Sequence, residues 1–250
     1  GGIKLESFDY DKDGVLNHAD DFPRDSERSI ICPPGSFGYH YCEDSPPGTF
    51  IPEFKSISFQ NCPMGTFQSN SGQTSCTVSP PGTYVDFMGA ESPIPCPPGT
   101  FSNESGSIAD NCQITDPGHW TPEGSPIQFS CQPGTFQPSP GQGSCINAGK
   151  GNYSDVVSAT SEKECPPGEF QNLVGQNNCI LANPGYYVPG HGSSFETPCP
   201  SGTYNPDFGS SSINSCQKSP PGAFSLQGFS EPIPCPSGKF QPEWSSSNCI

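Results

Sequence analysis

Residues 9–20 read DYDKDGVLNHAD. Asp9, Asp11, Asp13, Gly14, Asn17 and Asp20 stand at positions 1, 3, 5, 6, 9 and 12 of a calcium loop. Alternating oxygen ligands at this spacing can wrap one hard cation. Gly14 permits the sharp bend, and the carbonyl of Val15 supplies position 7. Asp20 stands where Glu is usual, and its shorter side chain favours one oxygen contact and a weaker site. The competing reading is a solvated acidic linker. Spacing together with Gly14 favours calcium, in a structural role: ordering the junction before the first cysteine.

The cysteines are the second chemically able set. There are fourteen, an even number, and no two are closer than ten positions. Zinc gathers its ligands from close Cys or His pairs. Here His18, His40, His119 and His191 are scattered, so disulfides are expected instead. Asn103 in NES and Asn152 in NYS are sequons for covalent glycans. The Ser-Pro-Pro runs are candidates for further sugars, although turn geometry already explains them. No Gly-x-Ser-x-Gly, phosphate loop or His-Glu-x-x-His motif occurs. No catalytic residue is assigned, and the chain is not expected to be an enzyme.

Composition limits what can position these groups. Leu, Ile, Val and Phe make up about 17% of 250 residues, and the net charge is -16. Gly and Pro number 29 and 32. No ordinary single core can be built from this. Cysteine-dense, core-poor chains fold as small units stapled by disulfides in oxidising surroundings. The expected location is therefore extracellular or at the cell surface. Nine basic residues without a cluster argue against nucleic acid. No apolar run approaches the ~20 residues of a membrane helix, so no membrane insertion is expected within this chain. The opening GGIKLESF shows no signal peptide and is expected of a processed form or a fragment.

A 15-residue phrase organises the chain: CPMGTFQSNSGQTSC, CQPGTFQPSPGQGSC, CPPGEFQNLVGQNNC. Its anchor is Gly followed two places on by an aromatic. It runs thirteen times, from Gly35/Phe37 through Gly118/Trp120 to Gly238/Phe240, at spacings of 13 to 20 and most often 17. The expected organisation is an acidic calcium-loop segment at 1–31, then thirteen tandem ~17-residue units at 32–250. Seven units open with Cys-x-x-Gly and six do not, so the full period is a pair of units. Pro-Gly punctuates a turn, and the aromatic enters a short extended segment. The aromatics are read as core-packing groups that cover a disulfide or a neighbouring unit; a sugar-stacking ladder is the competing reading, and their fixed place after each Pro-Gly turn favours packing. Strands of two to four residues fit; helices do not, because Pro or Gly interrupts nearly every ten-residue window.

Two pairing schemes are open. One closes each cysteine unit on itself: Cys32–Cys42, Cys62–Cys76, Cys96–Cys112, Cys131–Cys145, Cys165–Cys179, Cys199–Cys216 and Cys235–Cys249. The other bridges intervening units, as in Cys76–Cys96, and leaves Cys32 and Cys249 over. The first uses all fourteen and is preferred.

The pattern Cys-Pro-x-Gly-Thr-Phe/Tyr…Gly…Cys resembles the ephrin-receptor-like cysteine-rich repeats of extracellular proteins. It is also similar to the single-disulfide modules of tumour-necrosis-factor-receptor ectodomains. In those families Cys-x-x-Cys-Pro closes one unit and opens the next. Here Ser79, Asp116, Ala148, Asn183 or Ser219 is read at the second position, which supports pairing within units. The segment DDFPRD after the acidic loop resembles thrombospondin type 3 calcium repeats more than a helix-flanked EF-hand.

The expected fold class is small and disulfide-rich, mostly irregular with short β-strands: an elongated, solenoid-like tandem-repeat rod without helices of note. The function expected from this is a glycosylated structural scaffold that spaces surface domains or assembles into a filament. Homo-assembly is expected because the repeat shows no polar cap at either end. The alternative is a receptor or adhesion ectodomain that binds a protein or glycan along the repeat. Its best candidates are the unit around Trp120 and the loop EFKSISF, residues 53–59.

Overall fold

The computed structural model describes residues 31–39 and 41–250, with Lys12, Ala19 and Arg24 as isolated positions. Among the described residues there is no α-helix. The regular structure is twelve antiparallel hairpins of two-residue strands, plus two 3-10 turns at Ala109–Asn111 and Ile213–Ser215. The chain divides into two compact units. One comprises residues 1–115 and 121–128, the other 116–120 and 129–250.

The local sequence dictates each hairpin. The Pro-x-Gly-Thr phrase makes a type II turn, in which the third residue needs positive φ and so takes Gly. In all thirteen repeats the N–H of the fourth residue donates to the carbonyl of the first, at 3.0–3.2 Å. Thr or Ser at the fourth place adds its hydroxyl to the same carbonyl, as Thr49 Oγ1 does to Pro46 at 2.6 Å. The chain then runs two residues as a strand, loops, and returns. Thr66–Phe67 pairs with Thr77–Val78, and Glu169–Phe170 with Ile180–Leu181. In the last repeat Phe240 and Ile250 exchange two backbone bonds of 2.9 and 3.0 Å without a formal strand.

Two isolated strands are marginal in water, so each hairpin depends on its neighbours. Within the first unit five turn glycines donate their N–H to the next hairpin, at 2.7–3.0 Å; within the second unit seven do so, at 2.6–2.8 Å. Loop residues bond back to the first residue of the preceding hairpin. Gly89 donates to Cys62 and Gly192 to Cys165, at 2.8 and 2.9 Å. A third relation skips one hairpin. The α-carbon of Gly48 faces the carbonyl of Gly89, and that of Gly151 faces the carbonyl of Gly192, so close that a Cβ would collide. Neighbour and next-but-one contacts together make two hairpins, about 34 residues, the structural period inside each unit.

The interior is narrow. It consists of the first residue of each repeat except Cys235, the residue after each aromatic except Gly38, and a few small loop residues such as Ala90 and Ser107. The aromatics themselves are mostly flanking groups. Of the thirteen, only Phe170 is buried, and Phe240 is 61% exposed. This corrects the reading of the aromatics as the packing core. Successive strand residues face opposite ways, and Gln68, Val85, Ser102 and Gln171 take the inward place.

Candidate functional site

Seven disulfides join Cys32–Cys42, Cys62–Cys76, Cys96–Cys112, Cys131–Cys145, Cys165–Cys179, Cys199–Cys216 and Cys235–Cys249, with Cα atoms 5.5–5.8 Å apart. Each closes within its own hairpin. Cys32, Cys62, Cys96, Cys131, Cys165 and Cys199 are fully buried, and a small residue is buried at the same place in the alternate hairpins: Ser45, Ser79, Thr115, Ala148, Ala182 and Ser219. Thr115 and Ala182, rather than Asp116 and Asn183, therefore occupy the place of the missing cysteine. Asp116 and Asn183 begin the following turns. The hydroxyls of Ser45 and Ser79 are buried there without a partner.

Two alternate hairpins replace the disulfide with a carboxylate clasp. Glu162 stands three residues before Cys165, and Glu196 three before Cys199, which is the closing-cysteine position. Glu162 Oε2 accepts from the Gly149 N–H at 2.6 Å, and Oε1 from Asn152 Nδ2 at 2.9 Å. Glu196 accepts from the N–H and the Nδ2 of Asn183 at 2.7 and 2.9 Å. Both turns begin with a residue that has an N–H, whereas Pro follows six of the seven opening cysteines.

In four stapled hairpins a buried glutamine locks the loop. Gln68, Gln137, Gln171 and Gln241 donate Nε2 to the carbonyls of Ser75, Ser144, Asn178 and Asn248, at 2.8–2.9 Å. Their Oε1 atoms accept from the N–H two residues on. The sequence reading missed this role. The signal was present as the recurring Phe-Gln, but a glutamine does not advertise burial.

The two sequons have unlike surroundings. Asn103 is exposed in a loop. Asn152 is half-buried in the strand Asn152–Tyr153, its Nδ2 is held by Glu162, and the Ser154 hydroxyl is buried against the Thr135 carbonyl. A glycan on Asn152 replaces one of the two Nδ2 hydrogens and crowds the Glu162 carboxylate that holds this nitrogen. Glycopeptide mass spectrometry of secreted protein should find Asn103 occupied and Asn152 largely empty; equal occupancy of the two would refute this.

On the open surface beside Asn152, Lys163 and Asp155 pair at 2.8 Å. Their hydrogen bond holds the Asp155 carboxyl below its ordinary value and raises Lys163. Both groups are exposed, so the pair adds little to the fold.

The two sequence-predicted binding regions belong to different compact units. In the loop at 53–59, Phe54 and Ile57 are exposed, and Phe59 meets Phe37 edge to face at 5.5 Å between ring centres. Ile57 also borders a shallow cavity of about 240 Å³ with Phe37, Tyr39 and Tyr41. Trp120 pairs with Phe129 across its hairpin at 5.5 Å and opens onto a groove with Ser130, Gln132, Thr135, Ser144 and Cys145.

The calcium ligands expected at Asp9, Asp11, Asp13, Val15, Asn17 and Asp20 lie outside the described residues. Among the described residues no three His, Cys, Asp or Glu side chains gather as a metal site, and no helix is long and apolar enough to cross a membrane. No curated protein matches the chain. Residues 48–94 and 129–165, about a third of its length, match the family described as tyrosine-protein kinase ephrin type A/B receptor-like. In these stretches, four of whose cysteines form the Cys62–Cys76 and Cys131–Cys145 staples, the chain is similar to the ephrin-receptor-like cysteine-rich repeat.

Proposed function

We propose that this chain is part of a receptor-type extracellular ectodomain, a disulfide-stapled and glycosylated spacer that holds surface domains apart. The observation that carries the reading is the wiring of each unit. Interior hairpins are tied to the next by backbone bonds and to the next but one by glycine contacts. Contacts of this kind make stability and stiffness sums over neighbours, and the product is length rather than an enclosed pocket. Seven disulfides support an oxidising compartment, and the similarity of residues 48–94 and 129–165 to the ephrin-receptor-like repeat supports a receptor-type setting. The acidic loop at 9–20 orders the junction before the first hairpin by holding calcium. No catalytic role is proposed.

Electron microscopy and solution scattering of the native protein, with and without a calcium chelator, test this. A compact chain of 250 residues has a radius of gyration near ~18 Å. Thin single particles well above that size are expected, with the chelator loosening only the N-terminal end. Round particles near that size sink the spacer. Particles that join end to end into regular filaments replace it with a structural polymer.

A further inference from the structure

The repeat supplies its own control, because a hairpin that departs from its siblings does so for a reason other than the shared fold. Six of the seven opening cysteines are followed by Pro; Cys131 is followed by Gln132. Twelve of the thirteen aromatic positions hold Phe or Tyr; the other holds Trp120. These two departures sit in successive hairpins and line the same groove.

The groove has a volume of about 270 Å³ and is bordered by Trp120, Ser130, Gln132, Thr135, Ser144 and Cys145. No charged side chain lines it. Gln132 is exposed, and its Nε2 makes only a long 3.2 Å bond to the Ser130 carbonyl, so the carboxamide can turn to a ligand. Thr135 Oγ1 donates to the Gln132 carbonyl at 2.7 Å, which fixes the turn and leaves the hydroxyl oxygen able to accept. The equivalent groove at Phe224, of about 210 Å³, has neither departure: Pro236 takes the place of Gln132, and Lys239 joins the lining.

We propose that the Trp120 groove is a binding subsite for a neutral saccharide. The negatively polarised face of the indole attracts the C–H face of a pyranose ring. The wall is mostly apolar, which suits that face, and the Gln132 carboxamide at the rim supplies an uncharged donor and acceptor for a ring hydroxyl. The volume lies just under the roughly 300–1,000 Å³ of drug-sized ligand pockets, which suits one sugar ring with the rest of the glycan outside. A polyproline peptide is the other ligand of aromatic grooves, but such grooves are lined by several rings, and one aromatic lines this groove.

The chain has two tryptophans. In a Trp244→Phe variant, which alters an exposed loop tip, indole emission reports on the groove alone. This variant is titrated with N-acetylglucosamine, galactose, mannose and glucose trisaccharides, and with decaproline. At least one saccharide is expected to give a saturable change. Adding Gln132→Pro, which restores the residue of the other six stapled hairpins, should weaken that binding about tenfold, the worth of one hydrogen bond near 1.4 kcal/mol, at an unchanged unfolding temperature. The proposal is overturned by no saccharide response, by equal affinity with and without Gln132→Pro, or by a response to decaproline alone. A spacer needs no ligand, so failure here leaves the spacer standing, and round particles would remove the spacer without touching the groove.

Discussion

Alanine at Gly151 should lower stability by at least about 3 kcal/mol, whereas alanine at Gly238 should cost only about 1–2 kcal/mol. Both glycines occupy the third place of a type II turn, with φ of +82° and +86°. Both changes therefore force an L-residue into the left-handed region, and that shared strain is the smaller number. The difference lies in what surrounds them. A Cβ at Gly151 collides with the backbone carbonyl of Gly192, while at Gly238 nothing lies within 4 Å. Gly192 cannot retreat cheaply, because its N–H is bound to the Cys165 carbonyl at 2.9 Å. Moving it opens the hairpin between the two glycines as well. Calorimetric unfolding with disulfides intact reads the difference, and a Tm fall of roughly 6–12 °C is expected for Gly151→Ala in a chain of this size. Equal falls for the two variants would show that the next-but-one contact contributes nothing.

The same pair of glycines shows how far the sequence could be read. The turn at every Gly-x-aromatic was legible, because only Gly accepts the positive φ that the third turn position needs. The disulfide-rich class and the very short strands were legible for a similar reason: cysteines and Pro-Gly punctuation are local signals. The identity of the interior was not. Gln137 and Ser102 are buried beside half-buried aromatics because side chains alternate along the extended segment, so the residue that follows each strand turns inward while the aromatic flanks it, and hydropathy points to the wrong one. Nor could spacing reveal that a hairpin touches the next but one, since that contact is made by backbone carbonyls that carry no sequence mark. The clasp at Glu162 was within reach. A Glu three residues before a cysteine, paired with a turn that lacks its first proline, recurs at Glu196. Trp120 was singled out from the sequence, but Gln132 becomes meaningful only when the fold sets it across the same groove.

That clasp leads to the second large effect. Replacing Cys165 and Cys179 by a pair of alanines should destabilise by about 3 kcal/mol, the chain-entropy value for a loop of about this length. Alanine suits the opening position, since Ala148 and Ala182 are fully buried there in neighbouring hairpins. The variant also leaves three successive hairpins, 148–164, 165–181 and 182–198, without a staple, so in a one-dimensional stack the loss is felt on both sides. Glutamate at the closing position should not rescue it alone. Glu162 and Glu196 work by accepting from the N–H of Gly149 and Asn183, and the equivalent residue here is Pro166, which has no N–H. Cys165→Ala with Cys179→Glu is therefore expected to be no more stable than the alanine pair. Adding Pro166→Asn reproduces the Ala182, Asn183 and Glu196 arrangement, and should recover about 1–2 kcal/mol through two charge-assisted bonds. Thermal unfolding and protease resistance of the three variants decide it. If the glutamate variants with and without Pro166→Asn melt together, the carboxylates of Glu162 and Glu196 are bystanders, and the alternate hairpins are ordered by their stapled neighbours alone.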